Sequence, residues 1–135
     1  MELLTQNSKI KLSNVKTFNF GLPAGKTCPN AGACRKGCYA LAGAYVFSNV
    51  KDCFEQRLAL TKTVAFIPTL VKEIQAKHAK RIRIHDSGDF YNGHYLSKWI
   101  NIIKQCPDIQ FYSYTKQVAM FQAWTALHGL PTNFT

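Results

Sequence analysis

The stretch RIRIHDSGDFYNGHYLSKWI, residues 81–100, decides the fold of this chain. Its first six residues alternate, with Ile82 and Ile84 on one side and Arg83 and His85 on the other, the period-two pattern of a half-buried strand. The turn DSGD follows, and then Asn92 stands as an N-cap before Leu96, Trp99, Ile100 and Ile103, spaced to share one face of a helix that ends before Pro107. Strand, glycine turn and helix in twenty residues make one βα unit.

Two more units flank it. Upstream, VKTFNFG (15–21) predicts a strand from Phe18 and Phe20, bounded by Gly21 and Pro23. Two helices follow. The first starts at Asn49 as N-cap, with Asp52 in its first turn and Val50, Cys53, Phe54, Arg57 and Leu58 at helical spacing. The second starts near Pro68, with Leu70, Val71, Ile74 and His78 on one stripe. Downstream, IQFYSYT (109–115) predicts a third strand, and a helix over 117–128 carries Val118, Phe121, Trp124 and Leu127 on its buried side before a Gly129 stop. The terminal LPTNFT reads as the start of a fourth strand.

Strands alternating with helices imply crossover connections and a parallel sheet. Each strand has one apolar face, and the other carries Thr17, Asn19, Arg83, His85, Gln110, Tyr112 and Tyr114. A sheet covered by helices on both faces normally shows continuous apolar strands. The expected fold is therefore α/β and partial (β/α) barrel-like, about three parallel βα units with helices on one face; an open sheet tolerating Arg83 and His85 is the alternative. A complete eight-unit barrel takes roughly 250 residues. The expected organisation is an N-terminal extension over 1–14 and one partial barrel domain over 15–135, truncated at its C-terminus, a naturally short relative, or half of an assembly.

In βα architectures the working groups collect at the carboxyl ends of the strands. After the first strand, TCPNAGACRKGCYA (27–40) places Cys28, Cys34 and Cys38 at spacings of five and three intervening residues, with Gly32 and Gly37 easing the return of the chain. Three thiolates on so short a loop suit a soft metal. They suit a [4Fe-4S] cluster with one open iron, or a zinc that retains water or recruits Cys53, Cys106, His85 or His94. After the second strand come His85, Asp86, Ser87, Gly88 and Asp89, a turn able to receive the polar end of a ligand or simply to cap backbone N–H groups. After the third come Tyr114, Thr115 and Lys116, the lysine suited to a carboxylate or phosphate.

Composition bounds the remaining classes. Five cysteines in 135 residues, with no secretory signal at the start, favour reduced thiols and a cytoplasmic protein. No apolar run approaches membrane-spanning length. Seventeen Lys and Arg against seven Asp and Glu give a formal charge of +10, which favours polyanions and allows nucleic acid as a partner, although the basic residues are dispersed.

The three segments FGLPAGKTCPNAGACRKGCYA, RIRIHDSGDFYNGHYLSKWI and IQFYSYTK resemble, in order, the phage-encoded gene product 88 family, a likeness spanning about residues 17 to 135. That resemblance implies a protein of bacteriophages and related mobile elements, of uncharacterised activity, residing in the cytoplasm of an infected or prophage-bearing host. More distantly, three cysteines after a first strand, the last followed by aromatic Tyr39, are similar to radical S-adenosylmethionine enzymes. This likeness implies Cys28, Cys34 and Cys38 as cluster ligands, Ser87, Gly88 and Asp89 in the cofactor-facing turn, and hydrogen abstraction from a substrate after reductive cleavage of S-adenosylmethionine. The sequence departs from that superfamily's common spacing of three and two, and HDSGDF replaces the usual glycine pair followed by an acid. A non-enzymatic, zinc-stabilised nucleic-acid-binding module is the competing expectation.

Overall fold

A computed structural model of the chain describes residues 2–12, 14–23 and 48–135. Its elements run α1 (Ser8–Lys11), β1 (Thr17–Phe20), α2 (Ser48–Thr61), α3 (Phe66–Ala76), β2 (Arg81–Ile84), α4 (Gly93–Gln105), β3 (Gln110–Ser113) and α5 (Val118–His128). The strands form an open parallel sheet in sequence order β1-β2-β3. The register sets Phe18, Ile82 and Phe111 in one row and Asn19, Arg83 and Tyr112 in the next, so the apolar and polar faces stay separate across all three strands. Closure into a barrel is not seen among the described residues.

Helices α3 and α4 pack on the apolar face. Phe20 meets Phe66 of α3 and Trp99 of α4 with ring centroids 5.8 and 5.2 Å apart. Trp99 also lies 6.5 Å from Phe111. Phe66, Leu70, Ile74, Leu96, Trp99, Ile100 and Ile103 join Phe18, Phe20, Ile82, Ile84 and Phe111 in one core. Asn92 caps α4 as its position predicts, its Oδ1 accepting from Tyr95 N at 2.8 Å. Lys98 of α4 is buried, and its ammonium closes the end of α2 by donating to the carbonyls of Thr61 and Thr63 at 2.7 and 3.1 Å.

Both edges of the sheet carry further backbone pairing. Thr5 forms an antiparallel bridge with Asn19 on the β1 side. Leu3 and Leu4 are fully buried, and their N–H groups donate to the Glu73 carboxylate. On the β3 side, Phe134 pairs in parallel with Phe111: Phe111 N donates to Asn133 O at 2.8 Å and Thr135 N to Phe111 O at 3.0 Å. Residues 133–135 thus add a short parallel bridge beside β3, where the sequence suggests a strand. Asn133 fixes it, its Nδ2 reaching the carbonyls of Ile103, Cys106 and Ile109 at 2.9 to 3.1 Å.

Several expectations are corrected. The helix expected to be capped by Asn49 already starts at Ser48, so Asn49 lies inside it. His78 is not on the stripe of α3. That helix ends at Ala76, and His78 follows in a left-handed conformation, φ 52°, exposed to solvent. None of α5 is buried: Val118 is 56% and Leu127 79% exposed, and Phe121 and Trp124 are half-buried. Gly129, by contrast, ends α5 as expected, at φ 69° with its N–H on Thr125 O. The polar face is not uniformly open either, because Thr17 and Asn19 are buried.

Candidate functional site at the carboxyl rim

Parallel strands in sequence order bring three chain reversals to one rim: residues after Phe20, after Ile84 and after Ser113. The turn HDSGD occupies the middle and is bonded to both neighbours. His85 N and Asp86 N both donate to Phe20 O, at 2.8 and 3.1 Å. Ser87 Oγ donates to Leu22 O at 2.8 Å, and Leu22 N returns a bond to Ser87 O at 2.9 Å. On the other side, Asp89 accepts from Thr115 Oγ1 at 2.6 Å and from Lys116 N at 2.8 Å, and also from Phe90 N. Ser87 and Asp89 are each buried, and Gly88 between them takes φ 82°, a conformation that favours glycine.

His85 departs from its expected side. Alternation puts it with Arg83 on the polar face, but φ is 69°, and this left-handed residue swings the ring into the core. There it lies 4.5 Å from Phe90 and 6.4 Å from Trp99 between ring centroids, with Nε2 2.7 Å from Tyr95 Oη. Burial pushes its pKa down to about 3, so the imidazole is neutral. Burial also pushes the Tyr95 phenol up.

Asp86 is half-buried against Gly21, where a Cβ would strike its carboxylate. The first reversal thus approaches the second closely at Gly21, where a side chain would push the Asp86 carboxylate aside. Asp86 also faces buried Arg57 of α2, whose pKa is pushed down by burial with the Asp86 charge opposing. Lys116 uses its backbone on Asp89 while its side chain is exposed. The turn therefore brings Asp86, Ser87, Gly88, Asp89 and Lys116 to one rim and sends His85 beneath it. Cys28, Cys34 and Cys38 lie outside the described residues. Pro23, on this rim, is the last described residue before them.

Of the further ligands considered, Cys106 is buried at the end of α4, just before β3, and thus at the opposite end of the sheet. Cys53 is exposed on α2 and His94 is exposed on α4. Among the described residues no group of three or more His, Cys, Asp or Glu could hold a metal ion. No helix there is long and apolar enough to cross a membrane.

The polar face of the sheet holds groups that sequence reading had only marked as polar. Asn19 is buried, and among the described residues its Oδ1 and the adjacent Arg83 Nε have no hydrogen-bond partner. The Arg83 guanidinium sits 5.9 Å from the centroid of Tyr114. The period-two pattern put these residues on one face; that Asn19 and Arg83 stand side by side depends on the register between strands, which the pattern does not contain.

Sheet order, rim and polar face together define a parallel α/β protein in which Asp86, Ser87, Asp89 and Lys116 gather at the carboxyl ends of the strands. The chain belongs to the gene product 88 family, whose family description, Gene product 88, matches residues 1–135. It is similar to the Gene 88 proteins of Mycobacterium phage L5 and Mycobacterium phage D29, each 32% identical over 124 residues that cover 82% of this chain and 50% of the relative. The chain spans about half the length of these curated relatives. No solved structure matches it.

Proposed function

We propose that this chain is a metal-binding member of the gene product 88 family, in which Cys28, Cys34 and Cys38 hold a [4Fe-4S] cluster beside the rim formed by Asp86–Asp89. The observation that carries the reading is the pair of hydrogen bonds between Leu22 and Ser87. They fix the start of the cysteine-bearing segment against the β2 turn, and Cys28 follows Pro23 after four residues. Three thiolates saturate three irons and leave the fourth open to a chelating ligand, for which the amino and carboxylate groups of S-adenosylmethionine are the model. Asp86 and Lys116 would then face the two charges of that ligand from the rim. The open three-stranded sheet is read as part of a barrel wall, with Asn19, Arg83 and Tyr112 directed to its inner side.

A zinc site closed by His85 is the weaker reading. The ring would have to give up its bond to Tyr95 and leave the core, at the cost of the packing against Phe90 and Trp99. Protein purified without oxygen tests the choice. The expected result is a brown protein with about four irons per chain, with iron lost in each of Cys28→Ala, Cys34→Ala and Cys38→Ala. Colourless protein with zinc, shifting DNA in a salt-sensitive manner, would overturn it in favour of a nucleic-acid-binding module.

A further inference from the structure

The flank of the sheet beyond β3 differs from its interior in one respect. Helix α4, flanked by α3, buries Tyr95, Leu96, Trp99, Ile100, Ile102 and Ile103. Helix α5 is comparably apolar, yet buries none of its residues. Between α5 and the short strand at 133–135 runs an apolar groove of about 640 Å³, lined among others by Val118, Phe121, Gln122, Thr125, Ala126 and Phe134. The five α5 positions fall at i, i+3, i+4, i+7 and i+8, the stripe one helix presents to another. Thr125 and Ala126 are small enough to let a second backbone approach closely.

We propose that this groove, with the outer edge of residues 133–135, is the docking surface for a fourth parallel βα unit. The occupant's form follows from the page. Phe111, Ser113, Asn133 and Thr135 already exchange the hydrogen bonds of a parallel ladder, so the strand to be completed is parallel. A parallel strand is joined to its neighbour through a crossover helix, and such a helix can lie against the one before it, as α4 lies against α3. Stacked Phe121 and Phe134, 5.8 Å apart, form the floor on which that helix would rest. Half of each curated relative lies outside the matched segment, ample length for such a unit. The proposal is independent of any metal.

The test compares this chain with the intact Gene 88 protein of Mycobacterium phage L5, using sedimentation, the apolar dye anilinonaphthalene sulfonate and amide hydrogen exchange. The expected result is a monomeric chain that binds the dye, and loses it in Val118→Glu and in Ala126→Glu with an unchanged melting temperature. The L5 protein should bind no dye, and its helix corresponding to α5 should exchange at least 100-fold more slowly than α5. Dye binding or equally fast exchange in the L5 protein overturns the proposal. So does a dimer of this chain that Val118→Glu dissociates, since a second copy would then be the occupant. Loss of folding in both variants would also overturn it, by showing that the face is turned inward.

Discussion

His85 illustrates how one backbone angle changes a residue's chemistry. In the unfolded chain it titrates near 6.5; in the fold its pKa is about 3. Between those values the unfolded chain binds a proton that the native state does not. Stability contributed at neutral pH is therefore lost on acidification from about pH 6.5 towards 3, at up to about 1.4 kcal/mol per pH unit. Urea midpoints measured at pH 7 and 5.5 should fall more in the parent than in His85→Asn, where asparagine accepts the left-handed angle and carries no titrating ring. Asp89 makes a second case. Replacing it with alanine strands the Lys116 N–H and the Thr115 hydroxyl, and should cost about 2–4 kcal/mol by chemical denaturation. The sequence marked both residues and allowed Asp89 to cap backbone N–H groups, as it does at Phe90 and Lys116, but did not show which distant groups the turn would reach. The partner of Ser87 is 65 residues away and that of Asp89 is 26, and no local pattern encodes such a pairing.

At the scale of elements, legibility followed the source of the stabilisation. Helix α4 was readable because cap, apolar stripe and stop all lie within it, and Asn92→Ala should cost about 1 kcal/mol in a urea melt. Helix α5 has Val118, Phe121, Trp124 and Leu127 at helical spacing too, yet only Phe121 and Trp124 reach the core, and Val118 and Leu127 stay exposed. Periodicity says which side chains share a face; whether anything covers that face is decided by other parts of the molecule. The short strand at the end lay between these cases: LPTNFT announced it, but its anchoring by Asn133 to three carbonyls of α4 and the following turn was not legible. Asn133→Ala leaves those acceptors without that amide and should cost about 1–2 kcal/mol, with faster amide exchange at Phe134 and Thr135.

For the whole molecule, the parallel sheet follows from the alternation of strands and helices, and the separation of polar and apolar faces marked the side on which α3 and α4 pack, in keeping with the sequential order β1-β2-β3. The role of the first residues did not emerge that way. MELLTQ has no periodicity, yet Leu3 and Leu4 are fully buried and Thr5 closes the β1 edge. The double variant Leu3→Ala, Leu4→Ala should cost roughly 4 kcal/mol or more, since each deleted side chain leaves a void in the core. Near-ultraviolet circular dichroism of Trp99 would report the loss.

The Asn133 clasp also makes the last residues depend on one junction. Its three acceptors converge only where α4 has wound to its last turn and the bend before β3 has formed. Residues 133–135 are therefore held in place only where the last turn of α4 and that bend are both intact, so their amide protection reports on that junction.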